Sequence, residues 1–405
     1  MDILLLTPAL PYPPHQGGAL RNYGIIHGVH EAGHAVTLLS FNGDSDVPSP
    51  TPLDALCKRI EIVSPPVRSS AQRLRDLLTS VQPDLALRLM SAEYSQVLGE
   101  TLRQQAFDLV QFEGLEMTGY LPIVRQQQPQ AKLCYDAHNA EYRLQQVISV
   151  VDRRQPSRWP VAIYSFLQAR RIASFERAVC QQVDAVIAVS DEDAEALRPF
   201  RPDGHIAVVP NGIFMDHYDG TEEQLDLGQH VLTFTGKMDY RPNVDAMLWF
   251  TEEVLPLVHA QIPDAHLYIV GQKPHRRLEG LRDRDHISLT GWVNDVTPFL
   301  HATNVYVAPL RMGSGTRLKI LEAMAAGCAI AATPLAAAGL PDDARSTLVL
   351  ADNAPQMAEA IVTLLKDDAQ QRALGEAARK AVVQHYDWSA LIPRLLDTYR
   401  GMGLG

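Results

Sequence analysis

Short apolar runs alternate with longer amphipathic stretches along the whole chain. Residues 1–7 predict a first strand, followed by a proline-rich loop and a helix from about 19 to 32 that closes at Gly33. Residues 35–41 predict the next strand, and further strands are expected at 109–112, 132–136, 185–190 and 206–210. This first series ends at the turn dipeptide Asn211-Gly212. A polar stretch at 216–229 separates it from a second series, with strands at 231–235, 266–271, 287–290, 304–308 and 328–333. Near-continuous apolar strands linked by helical crossovers predict parallel sheets covered on both faces. The expected fold is α/β, with two doubly wound Rossmann-like domains. We place the first at 1–213, a linker at 214–230, the second at 231–385, and a terminal helix at 386–405 that crosses back to the first domain. Ligands bind such sheets outside the carboxyl ends of the strands, so two of them predict a cleft with a site built from both lips.

Composition narrows the function classes. A chain of 405 residues exceeds one ordinary core. Its 46% apolar and 20% charged content is that of a soluble, enzyme-sized protein. A net charge of −11, shared by both halves, argues against broad nucleic-acid binding. Cys57, Cys134, Cys180 and Cys328 show no zinc spacing and fit reduced thiols in a cytoplasmic protein. Asp2 stands where a secretion signal has basic residues, so no such signal is expected. Residues 323–340 carry no charge, but they are rich in Ala and Gly and contain Pro334. They predict a helix end at Gly327, a buried strand and a loop, rather than a membrane span.

The most informative window is G-S-G-T-R-L-K-I-L-E-A-M-A-A-G, residues 313–327, which follows a strand and opens a helix. The turn Gly313, Ser314, Gly315, Thr316 and Arg317 offers backbone N–H groups at a helix start, a geometry suited to a diphosphate. Helical rotation puts Leu318, Leu321 and Ala325 on the side that packs on a sheet. It puts Lys319, Glu322 and Ala326 on another, continuous with the glycine turn. A cation there meets phosphate, and a carboxylate one turn deeper meets ribose hydroxyls. The alternative is a surface helix with an i,i+3 Lys–Glu pair.

Other stretches point the same way. The loop T-P-A-L-P-Y-P-P-H-Q-G-G is stiffened by four prolines and ends in Gly17 and Gly18, with Arg21 and Asn22 in the next helical turns, so that Gly17, Gly18 and Arg21 are expected to meet substrate. His138, in Asp136-Ala137-His138-Asn139, falls just past a strand end, where it meets a sugar hydroxyl or moves a proton, or is simply structural. Gly236 and Lys237 form a second glycine-plus-cation turn. Gly291, Trp292 and Val293 follow another strand and offer backbone to a base edge, or form a plain loop. Seven arginines against two acids lie between Arg143 and Arg177 with aromatics interleaved. They suit an anionic membrane surface or a lipid-linked acceptor, or a solvated helix face. Asp191-Glu192-Asp193 resembles a metal motif, but Ser190 three residues before Asp193 predicts a helix cap. No metal-ligand set is expected.

In this order and spacing, the stretches resemble the glycosyltransferases of family four, the group 1 glycosyl transferases with the GT-B fold. The likeness runs over nearly the whole chain. It includes E-A-G-H-A-V-T-L-L (31–39), D-A-H-N (136–139), V-V-P-N-G-I (208–213), F-T-G-K-M (234–238), G-W-V-N-D-V (291–296) and the stretch from Pro309 to Gly327. The resemblance implies a donor ribose held by Glu322, and diphosphate contacts from residues 313–316 and Lys237. It implies a base edge at 291–293, a donor- and acceptor-side loop at Gly17 and Gly18, and His138 near the transferred sugar. It further implies a nucleotide-diphosphate sugar as donor substrate, transfer with retention, and no cofactor or required metal. The acceptor implied is a glycan or lipid-linked hydroxyl. The thiols point to the cytoplasm, and the arginine-rich stretch, unless it is a solvated helix face, to peripheral contact with the inner face of an anionic membrane. Two positions depart from the pattern. Ser314 stands where the family has a glutamate, and Asn243 where it has a second cation, for which Arg241, Arg317 or Lys319 can compensate. An epimerase of the same fold and an inactive sugar-nucleotide-binding protein are the alternatives.

Overall fold

The computed structural model describes residues 1–14, 17–42, 50–146, 159–202, 204–220, 225–312 and 318–404. It divides into two compact units, one made of Met1–Gly212 with Leu391–Gly405, the other of Ile213–Ala390.

The first unit carries seven strands: β1 (Asp2–Thr7), β2 (Ala35–Phe41), β3 (Arg59–Val63), β4 (Leu109–Glu113), β5 (Lys132–Ala137), β6 (Ala185–Ala188) and β7 (Ile206–Val208). Their order is β3-β2-β1-β4-β5-β6-β7 and every pair is parallel. The run Leu4-Leu5-Leu6 is buried throughout, as expected for a strand covered on both faces. Leu4 lies opposite Val110, and Leu6 opposite Phe112. The chain leaves β1 on one side and resumes on the other, so the switch point falls between β1 and β4. The helix Gly17–Glu31 starts there, burying Ile25, Ile26 and Val29.

The second unit repeats the plan with β8 (Val231–Thr235), β9 (His266–Val270), β10 (Ile287–Gly291), β11 (Val305–Ala308), β12 (Ala329–Ala332) and β13 (Val349–Leu350). The order is β10-β9-β8-β11-β12-β13, again all parallel, with its switch point between β8 and β11. The helix Leu318–Ala325 follows β11 and buries Ile320, Leu321, Ala323, Met324 and Ala325. It ends at Gly327, whose φ of 75° is the left-handed conformation that closes a helix. Each unit has its own core. Phe41, Phe112 and Tyr135 anchor the first, and Phe234, Tyr306 and Met324 the second.

Three features depart from expectation. Arg59–Val63 is an edge strand whose Ile62 is largely exposed, so its apolar signal is weak. β13 has two residues, too short for any periodicity. Residues 214–230 are not linker throughout: the 3₁₀ turn Met215–Tyr218 buries both of its end residues in the second core. At the far end, Asp387 pairs with Ile213 and breaks the chain into helices Asp368–Tyr386 and Trp388–Gly401. Among the described residues no helix is long and apolar enough to cross a membrane.

Candidate functional site

In the first unit the carboxyl ends of β1, β4 and β5 bring a histidine, two carboxylates and an arginine together. His138 stands just past β5, its side chain 21% exposed, with Nε2 at 3.2 Å from Glu113 Oε2 at the end of β4. A Cβ placed on Gly18 would lie 3.9 Å from His138 Nδ1 and Cε1, so the ring edge opposite Glu113 faces the glycine turn. Burial and the neighbouring Asp136 charge push Glu113 up to about 7, against the pull of its hydrogen bond to His138. Burial lowers the His138 pKa, but the Glu113 hydrogen bond and the charges of Asp136 and Glu113 outweigh it, so the net shift is upward.

Arg21, expected to meet substrate, is instead committed to the protein. It is buried, with Nε and Nη2 each 2.7 Å from one oxygen of Asp136 in a bidentate pair. Nη1 donates to the carbonyl of Val209 at 2.8 Å and lies 3.3 Å from Pro210 O and Asn211 Oδ1. It therefore ties the helix after β1 to β5 and to the end of β7. Glu113, Asp136 and His138 each bring a ligand atom within 4.8 Å of the others, a spacing compatible with a metal ion. With both Asp136 oxygens taken by the guanidinium, the positive charge of that cluster is supplied by Arg21.

The His138 loop is fixed from below by groups the sequence reading passed over. Asp193 Oδ1 accepts from the Ala140 N–H at 2.9 Å. Buried Glu176, on the long helix Trp159–Gln182, accepts from the N–H groups of Glu141 and Tyr142, each at 3.1 Å, and from Tyr135 Oη. Asp193 also receives its helix cap from Ser190, as the spacing predicts.

In the second unit the switch point holds a lysine and a glutamate on one half-buried helix face. Lys319 Nζ donates to Asn243 Oδ1 at 2.7 Å and lies 4.2 Å from the centre of the Phe234 ring. Asn243 Nδ2 donates to the Lys237 carbonyl at 2.9 Å. Gly236 has a φ of 143°, and a Cβ there would fall 2.6 Å from Lys319 Nζ. A side chain at Gly271, after β9, would fall 1.8 Å from the Gly236 carbonyl oxygen. The glycines thus let two strand ends close beneath the ammonium group, and Gly271 is a member that the sequence reading did not single out. Lys237 itself is exposed.

Glu322 lies one turn deeper on the same helix. Burial raises its pKa and the Asp295 charge adds to the rise, while Lys319 pulls it down. Tyr218 and Tyr306 sit close enough to feel its charge, and burial holds both phenols neutral. Arg379 reaches from the helix Asp368–Tyr386 to the carbonyls of Ala325 and Tyr218 and to Asp219, fixing the end of the Glu322 helix. Gly291 has a φ of 73°, and its carbonyl accepts from the Gly271 N–H. Trp292 beside it is 63% exposed, and Val293 is half-buried. Gly17 is half-buried at the start of its helix. Gly313, Ser314, Gly315, Thr316 and Arg317 lie outside the described residues.

Residues 16–212 match a family profile described as a glycosyl transferase 4-like domain, and residues 229–367 one described as glycosyl transferases group 1. Over 211 residues the chain is 34% identical to a phosphatidyl-myo-inositol mannosyltransferase of Mycolicibacterium smegmatis, covering 48% of this chain and 53% of that protein. The chain spans about half the length of the curated relatives it matches. Its fold is similar to that of sucrose-phosphate synthase from Thermosynechococcus elongatus, with a TM-score of 0.71 and 19% identity over 100% of this chain and 99% of that one. It is also similar to Anabaena HepE in complex with UDP and glucose, with a TM-score of 0.63 and 14% identity over 98% and 99% of the two chains. At those identities the likeness is one of GT-B fold.

Proposed function

Because the chain belongs to the group 1 glycosyl transferases of family four, we propose that it moves a hexosyl unit from a nucleotide-diphosphate sugar to a hydroxyl acceptor, with retention. The observation that carries this reading is the face formed by Lys319 and Glu322 at the switch point of the second unit, beside Gly236. Glu322 accepts from the donor ribose. Lys319 and Lys237 take the charge of the leaving diphosphate. Backbone at Trp292 and Val293 receives the base. The glycine turn at Gly17 and Gly18 and the imidazole of His138 belong to the acceptor and the transferred sugar. Lysine ammonium groups then supply the charge stabilisation, without a required metal.

The acceptor in this reading is glycan or lipid-linked. Two observations support the lipid. The curated relatives are named for phosphatidyl-myo-inositol, and the helix Trp159–Gln182 exposes Tyr164, Phe166 and Leu167 beside Arg170. Apolar rings among arginines suit the interface of an anionic membrane.

Incubation with UDP-, GDP- and ADP-sugars, followed by product analysis, tests the reading. Free nucleotide released in proportion to glycosylated acceptor is expected. An isomerised sugar nucleotide, or saturable binding without turnover, would overturn it in favour of an epimerase or an inactive binding protein.

A further inference from the structure

A buried line of polar side chains runs from the last helix of the chain to His138. Tyr399, on the helix Trp388–Gly401, is fully buried, and its hydroxyl donates to Gln111 Oε1 at 2.6 Å. Gln111 Nε2 donates to Glu113 Oε1 at 2.7 Å. Gln111 and Glu113 are two apart on β4, so the pleat sends both to one face. Glu113 Oε2 then meets His138 Nε2. Tyr399, Gln111 and Glu113 are fully buried, where an unmatched donor or acceptor is costly.

Matching donors to acceptors assigns the protons. With its oxygen taken by Tyr399, the Gln111 amide has only N–H to offer Glu113. Glu113 accepts at Oε1, and above its own titration, as a carboxylate, it accepts again at Oε2, from the Nε2–H of His138. The other ring nitrogen, Nδ1, lies on the edge facing Gly18. In the neutral ring it carries a lone pair.

We propose that Glu113, aimed by Tyr399 through Gln111, is a positioning residue. It holds His138 as the Nε2–H tautomer and so presents Nδ1 as a hydrogen-bond acceptor toward the glycine turn where a substrate hydroxyl arrives. The substrate half of this statement rests on the function proposed above; the tautomer does not. The terminal helix thereby becomes part of the chemistry of the first unit, acting through Glu113 and without touching substrate.

The charges that face this pair come from four elements. Asp136 on β5 and Glu113 on β4 favour the imidazolium, Arg21 from the helix after β1 opposes it, and Glu141 beyond β5 senses the ring. Tyr399 and Cys134 stand near the same carboxylates, and burial keeps both neutral. Neutralising Glu113 therefore removes a hydrogen bond and one of two favourable charges.

The test is ¹⁵N NMR of the histidine rings in the full chain without substrate, with His138→Gln used to assign the signal. In the wild type we expect the Nε2–H tautomer above the His138 midpoint. In Glu113→Gln the midpoint falls by about one pH unit or more, and the tautomer bias is lost. In Tyr399→Phe, which keeps the carboxylate, both change in the same direction by a smaller amount. An Nδ1–H tautomer in the wild type overturns the proposal. So does a Tyr399→Phe protein whose midpoint and tautomer match the wild type, and that variant decides the matter if Glu113→Gln does not fold. No donor or acceptor enters the measurement, so a negative sugar-nucleotide panel leaves this result standing, and the reverse holds.

Discussion

Lys319 donates to Asn243 at 2.7 Å at the switch point of the second unit, and Asn243 donates in turn to the Lys237 carbonyl. The position that departs from the family's second cation thus holds a tether for a lysine supplied by another helix. Ammonium, amide and the Phe234 ring together fix the charge in place. Lys319→Ala is expected to lower kcat by roughly 10²-fold, in the range of a lost oxyanion donor. Asn243→Ala, which leaves the charge but frees it, should cost about tenfold by the same reasoning. Steady-state kinetics with the donor found active would check both. A wild-type rate in Lys319→Ala would return the lysine to a purely structural pairing.

Glu322→Ala should weaken donor nucleotide binding by about 1.5–3 kcal/mol, the worth of a hydrogen bond to a charged acceptor. Since burial and Asp295 raise the Glu322 pKa, wild-type affinity should grow as pH rises through that pKa and the carboxylate ionises. Titration calorimetry at several pH values tests both statements. Equal affinity in the mutant and the wild type would remove the ribose assignment.

Arg21→Ala should destabilise the first unit by about 3–5 kcal/mol, because it strands a buried carboxylate. Asp136 is held below the usual carboxylate range: burial raises it, but the Arg21 charge and hydrogen bonds prevail. Its stabilising contribution is present above the unfolded value of 3.8 and is lost as pH falls through the lower folded value. Denaturant melts of the variant, followed by a probe in the first unit, measure the loss. Unchanged stability would mean that Asp136 is not stranded, its charge being discharged by a proton or met by another group.

Glu176 gives the opposite pH signature. Burial pushes it from 4.5 up to about 8, although the backbone N–H groups of Tyr142 and Glu141 oppose the rise. Between those values the folded protein keeps a proton that the unfolded chain has released. Stability on its account therefore falls as pH rises, by up to about 1.4 kcal/mol per unit. Glu176→Gln, neutral throughout, should flatten that slope in thermal melts across the window. A slope equal to the wild type's would place the titration elsewhere.

If, as proposed, lysine charges serve the leaving group, stripping divalent ions with a chelator should leave the transfer rate within about twofold of the untreated protein. The positive charge in the Glu113, Asp136 and His138 cluster is already Arg21. A rate that collapses on chelation and returns with magnesium or manganese would contradict this.

How much was legible in the sequence follows from how local each signal is. Buried parallel strands are runs of apolar residues, so β1, β2, β4, β8 and β11 stand out by themselves. The Lys319 and Glu322 face was legible because helical rotation is fixed and Gly327 marks the stop. Arg21 follows a glycine turn, which by itself signals a substrate contact; its partner Asp136 is 115 residues away and invisible to spacing. Glu113 ends an apolar strand whose apparent boundary is Phe112, one residue earlier. Tyr399 and Gln111 are 288 residues apart, and only the completed fold joins them. Local pattern reveals elements and turns; the hydrogen-bonded partners that orient a side chain come from topology.

The unit that begins the chain is completed by Leu391–Gly405, with the whole second unit intervening. During synthesis the first sheet therefore waits for residues 213–390 to pass before it acquires its last covering helix, whereas that intervening block emerges without interruption. Removing residues 391–405 would damage the unit whose sheet was made first.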